Sequence, residues 1–147
     1  MNLEIKKVVP SALTPTYATD GAAGADLYAC ITDDNGEIYI RGGETVMVGS
    51  GISMAIPEGY VGLVFPRSGW AVKKSLSLAN AVGVIDSDYR GEVKLALYNR
   101  SGYGKTVKDG DRIGQIVIVP FMKTKFDIVD ELPETTRGDG GFGSTGQ

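Results

Sequence analysis

The segment from Asn80 to Glu92 carries the densest group of side chains that could perform chemistry. Within it, Asp86 and Asp88 stand two residues apart, and Tyr89 follows them directly. On a β-strand the two carboxylates would face the same side, where a like-charged pair can position a metal ion or activate a water molecule. Asn80 offers both a donor and an acceptor to the edge of a planar heterocycle. The alternative interpretation is a polar hairpin tip without a catalytic role.

A second group, Pro66-Arg67-Ser68-Gly69, is predicted to lie where a strand ends and a helix begins. Free N–H groups at the start of a helix bind phosphate, and Arg67 adds a planar charged donor while Ser68 adds a hydroxyl. The alternative is a capped helix with a surface arginine. Gln115, before an apolar run, is a neutral donor that could reach a phosphate, although alone it is weak evidence.

Asp26 lies in a small, apolar stretch, Ala23-Gly24-Ala25-Asp26-Leu27. A carboxylate in such surroundings must be paired, hydrogen-bonded or close to a cation. The sequence leaves two interpretations open, a carboxylate near a metal ion and a buried structural Asp–Arg pair.

The C-terminal residues differ in composition from the rest of the chain. From Glu134 onward the one large apolar side chain is Phe142, and residues 137–146 read RGDGGFGSTG. Glycines allow backbone N–H groups to approach an anion, so Arg137 and Phe142 among them fit a flap that covers a phosphate and a base. A disordered polar tail is the alternative.

Composition excludes several classes of function. The chain has 147 residues, a net charge of −3, one cysteine and no histidine. Without histidine there is no Ser-His-Asp or Cys-His nucleophile and no His-ligated zinc, and one thiol cannot form an internal disulfide. No block of Lys and Arg indicates direct nucleic-acid binding. No long apolar run or signal peptide appears either, so we expect a single-domain, soluble, cytoplasmic protein without membrane association.

Short apolar patterns separated by turn signals predict an all-β sandwich or barrel. The chain has three alternating apolar series and one continuous apolar run. One strand is expected over the series Val46, Val48, Ile52, Met54 and Ile56, which Ser50 interrupts. Three further strands are expected, over Val61, Leu63 and Phe65, over Val93, Leu95 and Leu97, and over Ile116–Val119. One helix is expected from about Gly69 to Leu78, with Ser68 as its cap and with Val72 and Leu76 on one face.

Five short motifs stand in an order that resembles the trimeric deoxyuridine triphosphatase family over nearly the whole chain. The third is the longest and most specific, and the fourth differs from the family's more usual RIAQ. The motifs are AGADL at 23–27, PRSG at 66–69, NAVGVIDSDYRGE at 80–92, RIGQ at 112–115 and RGDGGFGSTG at 137–146.

The resemblance implies a jelly-roll-like β fold with one short helix in a homotrimer. It implies a core over residues 1–133 and a flexible Gly-rich arm over 134–147, which closes over a site shared between subunits. The implied reaction is hydrolysis of dUTP to dUMP and pyrophosphate with Mg²⁺, which limits uracil in DNA and supplies dUMP for dTMP synthesis. Asp86 matches the carboxylate that activates the water that attacks the α-phosphorus.

The same resemblance implies the binding roles. Tyr89 matches the ring that excludes a ribose 2′-hydroxyl, and Asp26 matches a carboxylate that meets the metal through water. The uracil set comprises Asn80 and the main chain of Gly83, Val84, Ile85 and Lys94. The phosphate set comprises Arg67, Ser68, Gly69 and Gln115. The arm contributes Arg137 for the γ-phosphate, Phe142 for stacking on uracil, and Gly143 and Ser144 for phosphate contacts.

Two other functions compete with this prediction. A dCTP deaminase of the same fold needs a further acid/base glutamate, and Glu92 is the nearest candidate but its spacing does not match that family. A regulatory nucleotide-binding module would be expected to lose Asp86, Arg67 or the arm, and all three are present.

Overall fold

The computed structural model describes residues 1–141, which form twelve strands and one short π-helix. All strand pairings are antiparallel. The prediction of an all-β fold with one short helix is confirmed. The elements are β1 (Glu4–Lys7), β2 (Thr16–Tyr17), β3 (Ala25–Tyr28), β4 (Glu37–Ile40), β5 (Thr45–Gly49), β6 (Ile52–Ala55), β7 (Tyr60–Phe65), the π-helix (Trp70–Lys74), β8 (Leu76–Leu78), β9 (Gly83–Ile85), β10 (Lys94–Asn99), β11 (Lys105–Lys108) and β12 (Arg112–Pro120).

The largest sheet has five strands in the order β2-β3-β12-β7-β9. A three-stranded sheet, β5-β10-β8, and two strand pairs, β1-β6 and β11-β4, complete the architecture. The largest fully buried apolar side chains come from several of these sheets, so they share one core: Leu27, Ile40, Ile52, Leu76, Leu95, Leu97 and Ile113.

The alternating series around Ser50 forms two strands rather than the single strand predicted. β5 pairs with β10, whereas β6 pairs with β1, and the chain turns between them at Ser50 and Gly51. Gly51 has φ +67°, and a Cβ there would lie 2.7 Å from both Ala12 Cβ and Cys30 Sγ. The hydroxyl of the buried Ser50 donates to the Val93 carbonyl at 2.6 Å. A glycine with a left-handed backbone and a satisfied buried serine therefore end one strand and begin the next.

The buried face of β7 is the opposite of the one that the apolar alternation indicates. Gly62 and Val64 are buried, whereas Val61, Leu63 and Phe65 are half-buried. The predicted strand exists, but its larger apolar side chains line the sheet face that is less covered. In the third series, Val93, Leu95 and Leu97 are all buried, as the alternation predicts.

The helix is shorter than the predicted Gly69–Leu78. It ends because Ser75 adopts a left-handed conformation, φ 57°, and Leu76–Leu78 then pairs with β10 as a strand. The helix cap is Gly69 without a side-chain cap hydrogen bond, so the capping role predicted for Ser68 is wrong. Val72 is 80% exposed while Leu76 is 1% exposed, so the two side chains do not share a buried face.

Candidate active site

Three of the five motifs meet at an open cleft of about 500 Å³, here called the phosphate cleft. It lies between the loop that precedes β3 and the turn that follows β7. Its lining joins small side chains to one buried acid, one arginine and several hydrogen-bond donors. The lining residues are Ala18, Ala22, Ala23, Gly24, Asp26, Arg67, Ser68, Gly69 and Gln115.

The pairing of the central strands explains why these motifs converge. Gln115 on β12 lies opposite Asp26 on β3 and opposite Phe65 on β7. The Gln115 side-chain amide donates to the Pro66 carbonyl at 3.2 Å, which joins β12 to the turn that holds Arg67. A Cβ on Gly24 would lie 2.7 Å from Gln115 Oε1, so a glycine is needed for the amide to lie there.

Asp26 is the electrostatic centre of the phosphate cleft. Its residue is 5% exposed, Oδ1 lies 2.7 Å from Arg67 Nε, and Oδ2 lies 3.3 Å from Arg112 Nη1. Of the two interpretations that the sequence leaves open, the described residues show the buried Asp–Arg pair, and Asp26 has two arginine partners. The helix that follows has five residues and therefore few aligned peptide dipoles, so Arg67 is the main positive charge that faces the cleft.

The third motif forms a separate cavity of about 230 Å³, here called the hairpin cavity. Its lining residues are Met47, Val84, Ile85, Asp86, Tyr89, Glu92 and Lys94. Asp86 directly follows β9, and Asp88 lies in the turn beyond it. The two carboxylates therefore do not lie on one face of a strand, in contrast to the expectation from the sequence. Both residues are exposed, but of the two only Asp86 lines the hairpin cavity among the described residues.

Tyr89 is held against the main chain of the hairpin. Its hydroxyl donates to the Glu92 carbonyl at 3.0 Å, and a Cβ on Gly91 would lie 2.5 Å from the ring atom Cζ. The Glu92 carboxylate accepts from the Gly51 amide at 2.8 Å and pairs with Lys94 Nζ at 3.3 Å. Glu92 therefore fixes the frame of the cavity, a role that no local sequence signal indicates.

Asn80 stands at the entrance to β9. A tight turn precedes the strand, with Ala81 at φ 60° and the Val82 amide donating to the Asn80 carbonyl at 2.6 Å. The Asn80 side chain is exposed, and its Nδ2 lies 3.7 Å from the position of a Cβ on Gly83. Among the residues described, Asn80 does not line the hairpin cavity, but it lies beside the first residue of the strand that does.

Within residues 1–141 the phosphate cleft and the hairpin cavity share no lining residue. Asp86 instead borders a second, apolar hollow of about 290 Å³ together with Val61, Leu63, Val84 and Phe121. The candidate catalytic carboxylate is thus at the edge of an exposed apolar surface, on the less covered face of β7.

The chain beyond β12 has no strand or helix up to Gly141, and residues 121–139 are exposed throughout. Arg137 Nε donates to the Gly140 carbonyl at 2.8 Å, and its side chain lines neither cavity in the described part of the chain. The predicted arm residues Phe142, Gly143 and Ser144 lie outside the described residues. The exposed apolar side chains of this segment are Phe121, Met122, Phe126, Ile128, Val129 and Leu132.

Two features are absent from residues 1–141. No cluster of three or more Cys, Asp or Glu residues that could hold a metal ion by itself lies within residues 1–141. No helix in this range is long and apolar enough to cross a membrane.

Comparison with known proteins identifies the architecture. The family model for dUTPase matches residues 11–146. The deoxyuridine 5'-triphosphate nucleotidohydrolase of Hydrogenobaculum sp. is 47% identical over 146 residues, which covers 99% of both chains. The chain belongs to the dUTPase family. It is a dUTP diphosphatase, which hydrolyses dUTP to dUMP and pyrophosphate, so the activity predicted from the five motifs is confirmed.

Solved structures of the family share the fold. The Staphylococcus bacteriophage 80alpha dUTPase with dUpNHpp superposes with a TM-score of 0.88 at 25% identity and covers 99% of both chains. A mutant dUTPase from phage phi11 of S. aureus, in which a structural Mg(II) ion is coordinated, gives a TM-score of 0.78 at 23% identity and covers 89% of this chain and 98% of that one. The predicted jelly-roll-like fold class is confirmed.

Proposed function

We propose that this dUTPase works as a homotrimer in which the phosphate cleft of one subunit and the hairpin cavity of another form one active site. The observation that carries this proposal is the position of Asp86 between the hairpin cavity and an exposed apolar hollow, away from the phosphate cleft of its own chain. A second subunit that covers the hollow would bring its own cleft close to Asp86.

Exposed apolar area supports the association of subunits. Val61, Leu63 and Val84 line the hollow, and the segment that follows β12 carries six exposed large apolar side chains. Large exposed apolar patches are rare on soluble monomers and mark protein–protein contacts. A closed three-fold ring would cover the same surface on each subunit.

The phosphate cleft binds the triphosphate. Arg67 provides the charge, Ser68 and Gly69 provide hydroxyl and backbone donors, and Gln115 provides a neutral amide. Asp26 binds Arg67 at Nε, and we assign the terminal nitrogens of the guanidinium to phosphate oxygens. The arm adds Arg137 at the γ-phosphate, Phe142 over the base, and Gly143 and Ser144 at the phosphates. In this proposal the core spans residues 1–133 and the arm spans residues 134–147.

The hairpin cavity selects the deoxynucleoside. Asn80 and the main chain of Gly83–Ile85 and Lys94 bind the edge of uracil, because fixed backbone groups cannot rotate to suit cytosine. Tyr89 packs on the deoxyribose, and its hydroxyl is tied to Glu92 so that the ring leaves no space for a 2′-hydroxyl. The carboxylate of Glu92 is engaged by Gly51 and Lys94, which gives it a structural role rather than that of a deaminase acid.

Asp86 carries the chemical step. Its carboxylate orients a water molecule and accepts a proton as the water oxygen forms a bond to the α-phosphorus. The bond from that phosphorus to the bridging oxygen breaks, so that dUMP and pyrophosphate form. The dUMP serves dTMP synthesis and the loss of dUTP limits uracil in DNA. These substrates belong to the internal nucleotide pool, which supports a cytoplasmic location.

Mg²⁺ is the proposed cofactor, and the residues fit an ion that arrives with the substrate. Asp26 lines the phosphate cleft as a single carboxylate whose oxygens already bind arginines, so it would meet the ion through water. Mg²⁺ retains waters and favours substrate phosphates with one or two carboxylates over an all-protein cage. When bound, the ion would offset charge on the triphosphate and on the leaving pyrophosphate.

Asp86→Asn tests the catalytic assignment. We expect binding of a non-hydrolysable dUTP analogue to stay within about twofold while kcat falls by roughly 10²–10⁴-fold, the range of a general base. The measurement is steady-state kinetics with dUTP, dCTP, dTTP and UTP, followed by product identification.

The matched control is Asp88→Asn, two residues away in the same hairpin, whose carboxylate is exposed and outside the described lining of the cavity. We expect kcat for this variant to remain near that of the unmodified enzyme. A nearly normal kcat for Asp86→Asn, or equal losses in both variants, would contradict the role of Asp86.

A further inference from the structure

The structure assigns a role to Arg112 that the binding sets above do not contain. We propose that Arg112 is a positioning residue for triphosphate binding, which acts through Asp26 on the guanidinium of Arg67. The inference rests on the proposed function of the phosphate cleft. Its basis is one buried carboxylate that joins two arginines, by Oδ1 to Arg67 Nε at 2.7 Å and by Oδ2 to Arg112 Nη1 at 3.3 Å.

The charges of the cleft require a second arginine. Asp26 and Arg67 both line the cleft, and as an isolated pair they would have a net charge of zero. A polyanionic triphosphate would then gain little from Arg67 and would be repelled by the carboxylate. Arg112 brings the cluster of three groups to +1, so the cleft keeps a positive potential beside a buried acid.

The geometry separates the two arginines by role. Arg67 lines the cleft, whereas Arg112 is not among the described residues that line it. Arg112 lies opposite Tyr28 on β3, and Asp26 is two residues away on the same strand face, so the ion pair is a diagonal contact across two strands. The strand register is irregular between Arg112 and Gly114, where a bulge can re-aim a side chain.

The contact with Arg112 fixes the orientation of Arg67. Arg112 binds Oδ2 of Asp26 and so holds the whole carboxylate in one orientation, and Oδ1 of that carboxylate binds Nε of Arg67. The guanidinium of Arg67, which lines the cleft, is then held in one arrangement before substrate arrives. Loss of Arg112 should therefore weaken the binding of phosphates without altering the hairpin cavity, which shares no described residue with this cluster.

The test compares Arg112→Gln with Arg112→Lys in the full-length enzyme. The first probe is a non-hydrolysable α,β-imido analogue of dUTP, whose affinity is measured by calorimetry. The second probe is deoxyuridine, which has no phosphate and whose inhibition constant is measured by competition with dUTP. For Arg112→Gln we expect the affinity for the analogue to fall about tenfold, which is the usual size of the loss when a charge-assisted contact is removed. We expect the inhibition constant of deoxyuridine to stay unchanged. Arg112→Lys should restore most of the loss because it keeps the charge.

A double-mutant cycle with Asp26→Asn separates action through Asp26 from direct phosphate contact. We expect Arg112→Gln to change analogue affinity by less than about twofold once Asp26 is neutral, since coupled residues are not additive. Additive losses, equal losses for both probes, or no loss in Arg112→Gln would overturn the proposal. If Asp26→Asn fails to fold, the comparison of Arg112→Gln with Arg112→Lys decides alone. Equal losses of analogue affinity in these two variants would then overturn the proposal.

Arg67→Ala distinguishes this inference from the proposed function. If Arg67→Ala leaves the analogue affinity unchanged, the phosphate cleft has been assigned wrongly, and the inference fails with it. If Arg67→Ala weakens binding while Arg112→Gln does not, the cleft assignment stands and only the role of Arg112 is wrong. Melting temperature and oligomeric state, measured for every variant, separate these effects from unfolding.

Discussion

In the proposed active site, the phosphate cleft and the hairpin cavity recognise one substrate by different physical means. The cleft depends on charged side chains, with Asp26 buried between two arginines that come from β12 and from the turn after β7. The hairpin cavity, as proposed, binds through main-chain groups and through the ring of Tyr89, which lies against Gly91. We therefore infer that the first region recognises charge and that the second recognises shape.

This difference follows from what each region has to distinguish. A triphosphate differs from other ligands by its charge, which arginines and amides recognise at several orientations. Uracil differs from cytosine and thymine by the position of a few atoms, and deoxyribose differs from ribose by one oxygen. Groups that cannot rotate impose a larger penalty on the wrong ligand, which favours backbone and a fixed ring in the hairpin cavity.

The largest expected effect comes from separating the two regions onto different subunits. In the proposed homotrimer, Asp86→Asn removes the proposed catalytic base, and Arg67→Ala removes the main charge of the cleft. Co-refolding the two variants in equal amounts should restore activity, because about one site in four then combines an intact hairpin with an intact cleft from another subunit of the closed ring. The measurement is the dUTPase activity of the mixture against each parent.

A control for this experiment is the mixture of each variant with a chain that carries both substitutions, which contains no complementary pair. Activity should stay at the level of the parents there. Failure of the first mixture to exceed its parents, with mixed trimers verified by native mass spectrometry, would mean that both regions act within one chain.

The sequence predicted the members of each region better than their arrangement. Asp26, Arg67 and Gln115 occur in three separate motifs, and strand pairing brings them to one cleft. Arg112 and Glu92 stand inside the fourth and third motifs, but the motifs do not indicate the roles found here, because these roles consist of contacts with residues 86 and 41 positions away. No local pattern encodes a contact of that kind.

The errors in the fold have local causes. A helix was expected up to Leu78 because Val72 and Leu76 have helical spacing, but Ser75 reverses the backbone and Leu76 and Leu78 alternate on a strand. Short apolar segments fit both the helical period and the strand period, and here the pairing of Leu76–Leu78 with β10 selects the strand. The face of β7 was misjudged because an apolar surface that would contact another subunit has the same pattern as a core face.

Tyr89→Ala is the next largest prediction and concerns the hairpin cavity alone. Removing the ring creates space beside the sugar, so the ratio of kcat/KM for dUTP to that for UTP should fall by about 10–10²-fold, while the affinity for pyrophosphate is unchanged. The ratio is measured by supplying both nucleotides separately. Tyr103→Ala, at an exposed tyrosine outside both described cavities, is the matched control. A preserved ratio in Tyr89→Ala would move sugar discrimination to another residue.

Gly91→Ala should have the smallest effect and the most specific one. Gly91 has no positive φ, so alanine suits its backbone, but the new Cβ would lie 2.5 Å from Tyr89 Cζ and 2.9 Å from Cε2. The ring must tilt and weaken its bond to the Glu92 carbonyl, so discrimination against UTP should fall by about two- to fivefold, less than when the ring is removed.

Gly102→Ala, where nothing lies within 4 Å of the new Cβ, should leave the ratio unchanged. In a Tyr89→Ala background the Gly91 substitution should add nothing, because its effect acts through that ring. An additional loss there would mean that the main chain at Gly91, rather than the ring packed on it, contacts the sugar.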